Sequence, residues 1–567
     1  MAATIPTDAM QALDWLWEDY EPFFTALYEA DLNAATLESW LSDWSAIANV
    51  ALEVLSRISV ATTVDTTDEV AERRYNTYME KVYPPLAMAN NTLSEKLVRS
   101  ELELSEFEIP LRNMRADLEI FREENLPLQT EESKAGLEYD KLSGAQTVEW
   151  EGKEVTLAQL TPVQHDPDRE RRERAWRLTM ERRLADRSAF NDLWRQFLTL
   201  RVQMAKNAGF GSYRDLRWKQ FHRFDYTPDD AKAFCAAIEE TVVPAAQRVY
   251  DRKRAALGLS TLRPWDTEVD PSGADPLKPF ESVDDLIART GAIFNHVDPI
   301  LGGYFETMAN ERLLDLDNRK GKAPGGYCTY FEVAKRPFIF MNSVGLHDDV
   351  QTMLHEGGHA FHAFAAADLP YFQQKNPPME FCEVASMAME LLAAPYLTTE
   401  HGGFYSRVDA ARARTEHIEG MLRFWPYMAV VDLFQHWVYE NPDAAMEPAE
   451  CDAQWSQLWD RFMRGIDYSG LDDIKATGWH RKLHIFHVPF YYVEYGLAQL
   501  GAAQVFGNAK KDQRAAVAQY RSALALGGTA GLPDLFAAAG VKFAFDAKTL
   551  GAAVELLEQT LSELAHA

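Results

Sequence analysis

Val350-Gln-Thr-Met-Leu-His355-Glu356-Gly357-Gly358-His359-Ala-Phe-His362 carries the pattern His-Glu-x-x-His, whose chemistry requires a helix. One helical turn puts His355 and His359 on a single face, where both imidazoles can reach one zinc ion at roughly 2.0–2.1 Å. Glu356 then stands beside the water that the metal activates. With 14 histidines in 567 residues, chance placement gives about 0.03 occurrences of the pattern, so coincidence is a weak explanation. Gly357 and Gly358 each weaken the helix by roughly 1 kcal/mol relative to Ala. Glycine suits a helix that another backbone or a substrate approaches closely, so its presence here supports a site.

A catalytic zinc has three protein ligands and one open position. A third histidine at the short spacing of the HExxHxxGxxH class would fall at position 365, which is Ala365. The ligand is therefore expected to be a carboxylate on a second helix. After Pro377-Pro378 comes Met379-Glu380-Phe-Cys-Glu383-Val-Ala-Ser-Met-Ala-Met-Glu390-Leu-Leu, an apolar helix interrupted by three glutamates. Glu383 lies mid-helix among buried-type residues, where an unpaired carboxylate is costly, and a metal bond removes that cost. Glu383 is expected as the third ligand and Glu380 as its fallback. Glu390, seven residues on and on the same face, and Asp349 are expected to support the ligands from behind. His362 reads as a packed histidine.

Outward from this helix, most of the chain keeps the helical period: 12–29, 37–57, 68–88, 91–105 and 111–125, then 169–187 and 189–208 after the acidic start Asp166-Pro-Asp. The Arg/Glu run Arg169–Arg174 reads as a solvated helix face. Four prolines between Arg263 and Phe280 mark a loop or linker. One region departs from the helical pattern. Gly325-Gly326-Tyr327 through Phe331, then Pro337-Phe338-Ile-Phe340-Met341, reads as a β-ribbon with an exposed edge strand, whose pairing Gly326 and Pro337 limit.

Net charge −29 argues against a nucleic-acid groove and an anionic membrane partner, and 47% apolar residues fit an ordinary globular protein. Four widely spaced cysteines form no CxxC pair, which fits a reduced compartment. The start Met1-Ala-Ala-Thr-Ile-Pro lacks a cationic leader, and no window approaches roughly 18 consecutive apolar residues. A cytoplasmic protein is expected.

Several segments resemble, in the same order, the thimet oligopeptidase and oligoendopeptidase F family of zinc metallopeptidases. They are Gly321-Lys-Ala-Pro-Gly-Gly-Tyr-Cys328, Pro337 to Asn342, the HExxH helix, Phe381-Cys-Glu383, and His484 through Pro489-Phe-Tyr491-Tyr492-Val-Glu-Tyr495 to Gln499. The resemblance covers most of the chain after about residue 160, and the first 150 residues match only as a helical block. It implies an all-α, mainly helical, two-lobed zincin with a deep central channel and one small β-ribbon near the zinc site. An N-terminal helical region, 1–160, would interlock with a catalytic region, 161–567. Glycine at 357 departs from the family, where a bulkier residue is common.

The resemblance also implies one zinc ion per chain and internal cleavage of short unstructured peptides. His484 and Tyr495, with Tyr492 and Tyr491, would stabilise the oxyanion, and His487 is the alternative to His484. The residues allow this independently: Pro489 suits the first turn of a helix that places Tyr491 and Tyr495 on one face, and neutral O–H and N–H donors stabilise an oxyanion. Glu356 would move the proton. The ribbon would add the peptide as a strand, with Gly325, Gly326, Tyr327, Phe338 and Phe340 as its substrate-binding residues. The alternatives are a dipeptidyl carboxypeptidase on the same scaffold, holding a free C-terminus with Arg481 or Lys482, and a non-catalytic peptide-binding protein. The oligomeric state is open between monomer and small homo-oligomer.

Overall fold

Helices make up most of the chain: 23 α-helices lie between Trp17 and Leu564, joined by short loops and 3-10 turns. The structure, a computed structural model, describes residues 4–566; Met1–Ala3, where the stretch read for a leader begins, lie outside the described residues. The mainly helical expectation holds. In the N-terminal part the periodic segments become Trp17–Glu29, Leu37–Val64, Glu69–Lys81, Tyr83–Arg99 and Glu108–Ile120. The break expected near 88–91 comes earlier, because Pro84 and Pro85 lack the N–H a helix interior needs and take the first turn of a new helix.

Asp168 starts the helix Arg169–Ala185 as its acids suggest, accepting from the N–H groups of Glu170 and Arg171. The Arg/Glu run that follows is not simply a solvated face. Arg172 is buried, and with Arg169 it grips the buried Asp266 at 3.1 and 2.8 Å. That acid lies in the Pro-rich connection, nearly a hundred residues away, so the local period could not announce it.

Two small sheets interrupt the helices. Thr147–Trp150 (β1) and Lys153–Thr156 (β2) form an antiparallel hairpin, absent from the expectation, that turns at Glu151-Gly152, both in the left-handed region. The second sheet holds Leu314–Asp317 (β3), Tyr327–Phe331 (β4) and Arg336–Ser343 (β5) in the order β3-β5-β4. β4 and β5 are the expected ribbon, antiparallel, with Tyr327 opposite Phe340. β4 is an outer strand, as expected. Pro337, however, stands on the central strand, because the unforeseen β3 pairs parallel with β5; the proline is tolerated since that pairing begins at Ile339.

Apolar residues gather into two principal cores. One joins the helices between Ala9 and Met114, and the larger runs from Ala135 to Leu564 and includes the HExxH helix. Within the first, Leu37–Val64 is long and apolar enough, by length and composition, to cross a membrane. Polar residues such as Glu53 and Arg57 interrupt its apolar run. The helix buries Trp40, Trp44, Ile47 and Val54 in the core. Glu53, 1% exposed, pairs with Arg57 at 2.7 Å and accepts from the N–H groups of Val333 and Ala334 at 2.7 and 2.9 Å. Thr63 Oγ1 lies 2.6 Å from the Tyr327 hydroxyl. The N-terminal part thus ties down both ends of the β4–β5 hairpin, which packs against the HExxH helix.

Candidate active site

The HExxH helix spans His347–Ala366, and its start is fixed by Asp349, whose Oδ2 accepts from the N–H groups of Val344, Gly345 and Leu346, each at 2.8 Å. This corrects the reading of Asp349 as support for a ligand: an acid at the third position of a helix is drawn to the unpaired N–H groups of its entry turn. The second helix, Met379–Ala393, crosses the first at Gly358. A Cβ built on Gly358 would lie 2.6 Å from both the Ala385 carbonyl oxygen and Ser386 Cα, so the two backbones touch there. At Gly357 a Cβ would meet the Phe294 ring at 2.5 Å. The helix-weakening glycines therefore admit a neighbouring backbone and an aromatic ring.

This approach brings together His355, His359 and Glu383, whose potential ligand atoms all lie within 4.8 Å of one another. Glu383 Oε2 is 3.5 Å from His355 Nε2 and 3.9 Å from His359 Nε2. Glu390 Oε1 lies 2.7 Å from His355 Nδ1, which fixes that ring with Nε2 toward Glu383. The other oxygen of Glu390 lies 2.9 Å from His417 Nε2 on the long helix Arg407–Glu440. Sequence reasoning missed His417: no spacing pattern connects it to Glu390. Ser386 Oγ also donates to Glu383 Oε2 at 3.2 Å.

Burial opposes charge on His355, yet hydrogen bonds to Glu383 and Glu390 hold it up to about 10. Glu390, despite its burial, is drawn down to about 2 by its hydrogen bonds with His355 and His417. Burial takes His359 down to about 4, leaving that imidazole neutral and its lone pair free. Two acids and two imidazoles so placed favour positive charge between them, the condition a dication meets. The donor set, two imidazoles and one carboxylate, fits zinc. Glu356 is 8% exposed, and burial pushes it up to about 7; His355 and the Cys328 N–H of β4 oppose the rise, and Glu383 and Glu390 add to it.

The C-terminal tyrosines reach the same place. Tyr491 donates its hydroxyl to Glu383 Oε1 at 3.3 Å, from just before the helix Tyr492–Ala509. The Tyr495 ring lies 5.3 Å from Tyr491 and 6.1 Å from His484. His484 Nδ1 is buried without a partner among the described residues, and burial lowers this histidine to about 4. His487 points elsewhere: its Nε2 lies 3.0 Å from Asp140 Oδ1 and its ring packs on Tyr139. Tyr492 is buried, its hydroxyl accepts from Lys482 Nζ at 2.6 Å, and its ring lies 4.9 Å from His484 and 5.7 Å from Tyr495.

Glu380 is taken up by an ion pair. Its Oε1 accepts from Arg223 Nε at 3.1 Å and the Tyr226 hydroxyl at 2.8 Å. Arg223 also donates to Glu494 and, at 2.8 Å, to the Phe490 carbonyl, joining the Glu383-bearing helix to the tyrosine helix. His362 packs against Phe381, outside the ligand group.

On the ribbon, Gly325 adopts φ +98°, a conformation that favours glycine, and its carbonyl accepts from Asn342 Nδ2 at 2.9 Å. A Cβ on Gly326 would make ordinary contact with the Phe340 carbonyl oxygen at 3.4 Å. Phe338 and Phe340 are corrected. They are buried with Phe331, Val60 and Val64 between the sheet and the N-terminal helix, because both faces of this sheet are covered. Tyr327 stacks on Phe340 at 4.9 Å, with its hydroxyl on Thr63.

Residues 163–554, well over half of the chain, match the model of peptidase family M3. The chain is 25% identical over 341 residues to an oligoendopeptidase F homolog of Lactococcus lactis subsp. lactis, covering 57% of this chain and 52% of that protein. To an oligoendopeptidase F of Lactococcus lactis subsp. cremoris it is 26% identical over the same length and with the same coverage. It thus spans about half the length of the curated relatives it matches. A solved structure of PZ peptidase A with an inhibitor superposes with a TM-score of 0.86 at 28% identity, over 99% of this chain and 98% of that one. The matched region holds both ligand-bearing helices, the ribbon and the tyrosine helix, and on that match the chain belongs to peptidase family M3, a family of metallopeptidases.

Proposed function

We propose that this protein is a zinc-dependent endopeptidase that hydrolyses internal bonds of short, unstructured peptides. The convergence of His355, His359 and Glu383 beside Glu356 carries the reading. A zinc ion bound by those three residues would supply Lewis-acid polarisation of a water molecule and of the scissile carbonyl. Glu356 accepts the proton of the attacking water and delivers it to the leaving amine, from a buried position next to His355. Glu390 and His417 hold the His355 ring in one orientation. Tyr495 and His484, with Tyr491 beside Glu383, donate to the carbonyl oxygen as it gains charge. Tyr492, already bonded to Lys482, keeps this group in place.

The outer strand β4 supports main-chain recognition: a peptide added along it would be held by backbone hydrogen bonds largely indifferent to its side chains. Unpaired cysteines and a strongly acidic composition favour a cytoplasmic setting. Mass-spectrometric mapping of peptides blocked at both ends tests the activity. Internal cuts abolished by a chelator and restored by zinc are expected, and intact peptides with fully metallated protein would refute the reading. Glu356→Gln should fold and bind zinc normally while turnover falls by about 10²–10⁴.

A further inference from the structure

The chain enters the tyrosine helix through a turn that breaks a local rule. The Tyr491 N–H donates to the Val488 carbonyl at 3.2 Å, which makes Pro489 and Phe490 the two central residues of the turn. Proline suits the first central place, and a positive φ at the second calls for glycine or asparagine. Here that residue is phenylalanine, at φ +66°. The other described non-glycine residues with positive φ are all charged or polar, and none is buried. Phe490 is fully buried. A Cβ in this region crowds its own backbone, so a bulky side chain stays there only where its surroundings over-determine it.

Those surroundings hold every part of the residue. Its N–H donates to Gln435 Oε1 at 2.8 Å, and Gln435, 1% exposed, is itself fixed by donating from Nε2 to the Val431 carbonyl at 3.1 Å. Its carbonyl accepts from the buried Arg223. Its ring lies 5.2 Å from His436, 5.4 Å from Tyr439 and 5.6 Å from Trp218. Gln435, His436 and Tyr439 stand on the long helix Arg407–Glu440, which also carries His417 and packs Phe424 against Tyr495 at 6.2 Å. One helix thus sets both the partner of Glu390 and the turn. Filling a core does not require this backbone: an apolar ring packs as well from an ordinary conformation, and glycine would form the turn without strain.

The groups that the turn joins supply the reason. His484, in the short helix Leu483–His487, precedes it, and Tyr491 and Tyr495 follow, their rings 6.0 and 6.1 Å from that of His484. Tyr491 comes directly after Phe490 and reaches Glu383. Freedom at position 490 would therefore move both tyrosines relative to His484 and the metal ligands.

We infer that Phe490 and Gln435 are positioning residues for the hydrolysis: they lock the turn so that Tyr491 and Tyr495 donate from one fixed place to the oxygen that gains charge. The inference rests on the peptidase reading and adds what holds its donors. Donors fixed in advance need no rearrangement as charge develops, so a loose turn costs catalysis and spares substrate binding.

The test uses the full chain loaded with zinc. Gln435→Met keeps the length of the side chain and removes the oxygen that accepts from Phe490, and Gln435→Glu returns an oxygen there. Phe490→Gly frees the turn; Phe490→Leu, which removes the ring contacts and keeps an apolar side chain, takes its place if the glycine variant does not fold. Gln435→Met and the Phe490 variant should each lower kcat about 10- to 100-fold, with KM and zinc affinity changed by about threefold at most. A phosphinic peptide, whose tetrahedral anionic centre stands for the transition state, should lose affinity by the same factor as kcat. Gln435→Glu should recover most of the loss. Unchanged kcat in both variants, a loss shared by KM and zinc affinity, or a loss that stably folded Gln435→Glu protein retains would overturn the inference.

A measurement without turnover separates the locked turn from the peptidase. With meta-fluorotyrosine in place of Tyr491, the fluorine NMR spectrum of zinc-loaded protein should show one narrow line, which Gln435→Met broadens or splits and Gln435→Glu restores. That result, with no cleavage by the wild type, would keep the locked turn and refute the peptidase. Cleavage by the wild type, with spectra and kcat alike in all variants, would refute the inference alone.

Discussion

Glu390 shows how much of the site rests on a side chain that touches no substrate. Its two oxygens join His355 to His417, so three helices meet through one carboxylate. Glu390→Ala should lower zinc affinity roughly 10- to 100-fold, measured by competition with a chelator, because His355 loses its orienting partner and His417 is left unpaired. The pH profile tests Glu356. Burial pushes that carboxyl up to about 7, and a dication beside His355 and His359 draws it down. The base acts ionised, so kcat/KM should rise with pH through the lowered value and the acid limb should lie below pH 7; a limb above 7 would belong to another group. At this scale the sequence was most informative where spacing is local. His355, Glu356 and His359 follow from one turn of helix, and Glu383 from the cost of an acid among apolar neighbours. His417 and Arg223 were illegible, since only the tertiary fold brings them to Glu390 and Glu380.

Between elements, the decisive contact is the backbone crossing at Gly358. Gly358→Ala should push the Glu383-bearing helix outward at Ala385–Ser386 and cost about 1–3 kcal/mol of stability, as overpacking of a tight core does. Zinc binding should weaken with it, and calorimetric titration beside denaturant unfolding would show whether the two losses travel together. Arg223 makes the complementary clamp, holding the Glu380 helix to the Phe490 carbonyl and Glu494 at the start of the tyrosine helix. The edge character of β4 was read from Gly326 and Pro337 together, of which only Gly326 adjoins that strand. The fate of Phe338 and Phe340 was not, because β3 and the N-terminal helix that cover the sheet lie outside the ribbon's own sequence. Pro337 misled for the same reason: its N–H-free position is judged against a neighbour that local sequence does not name.

Over the whole molecule, the net charge of −29 sets a field that every substrate crosses. At about 0.01 M salt the Debye length is about 30 Å and at 0.15 M about 8 Å, so attraction of cationic peptides fades across that range. For a cationic peptide kcat/KM should fall several-fold as salt rises, and for an acidic one it should hold or increase; the opposite order would locate the governing charges elsewhere. The helical class was readable from periodicity along most of the chain. How the N-terminal core braces the ribbon through Glu53 and Thr63 was not, because those pairings join residues more than 250 positions apart.

The crossing at Gly358 also has an evolutionary consequence. A Cβ there meets main-chain atoms, which no rotamer change can move aside. Mutational drift at position 358 is therefore blocked unless residues 385–386 retreat, and their retreat carries Glu383 away from the imidazoles. Lineages that keep the chemistry should hold glycine at position 358, and those that lose it should be free to change it.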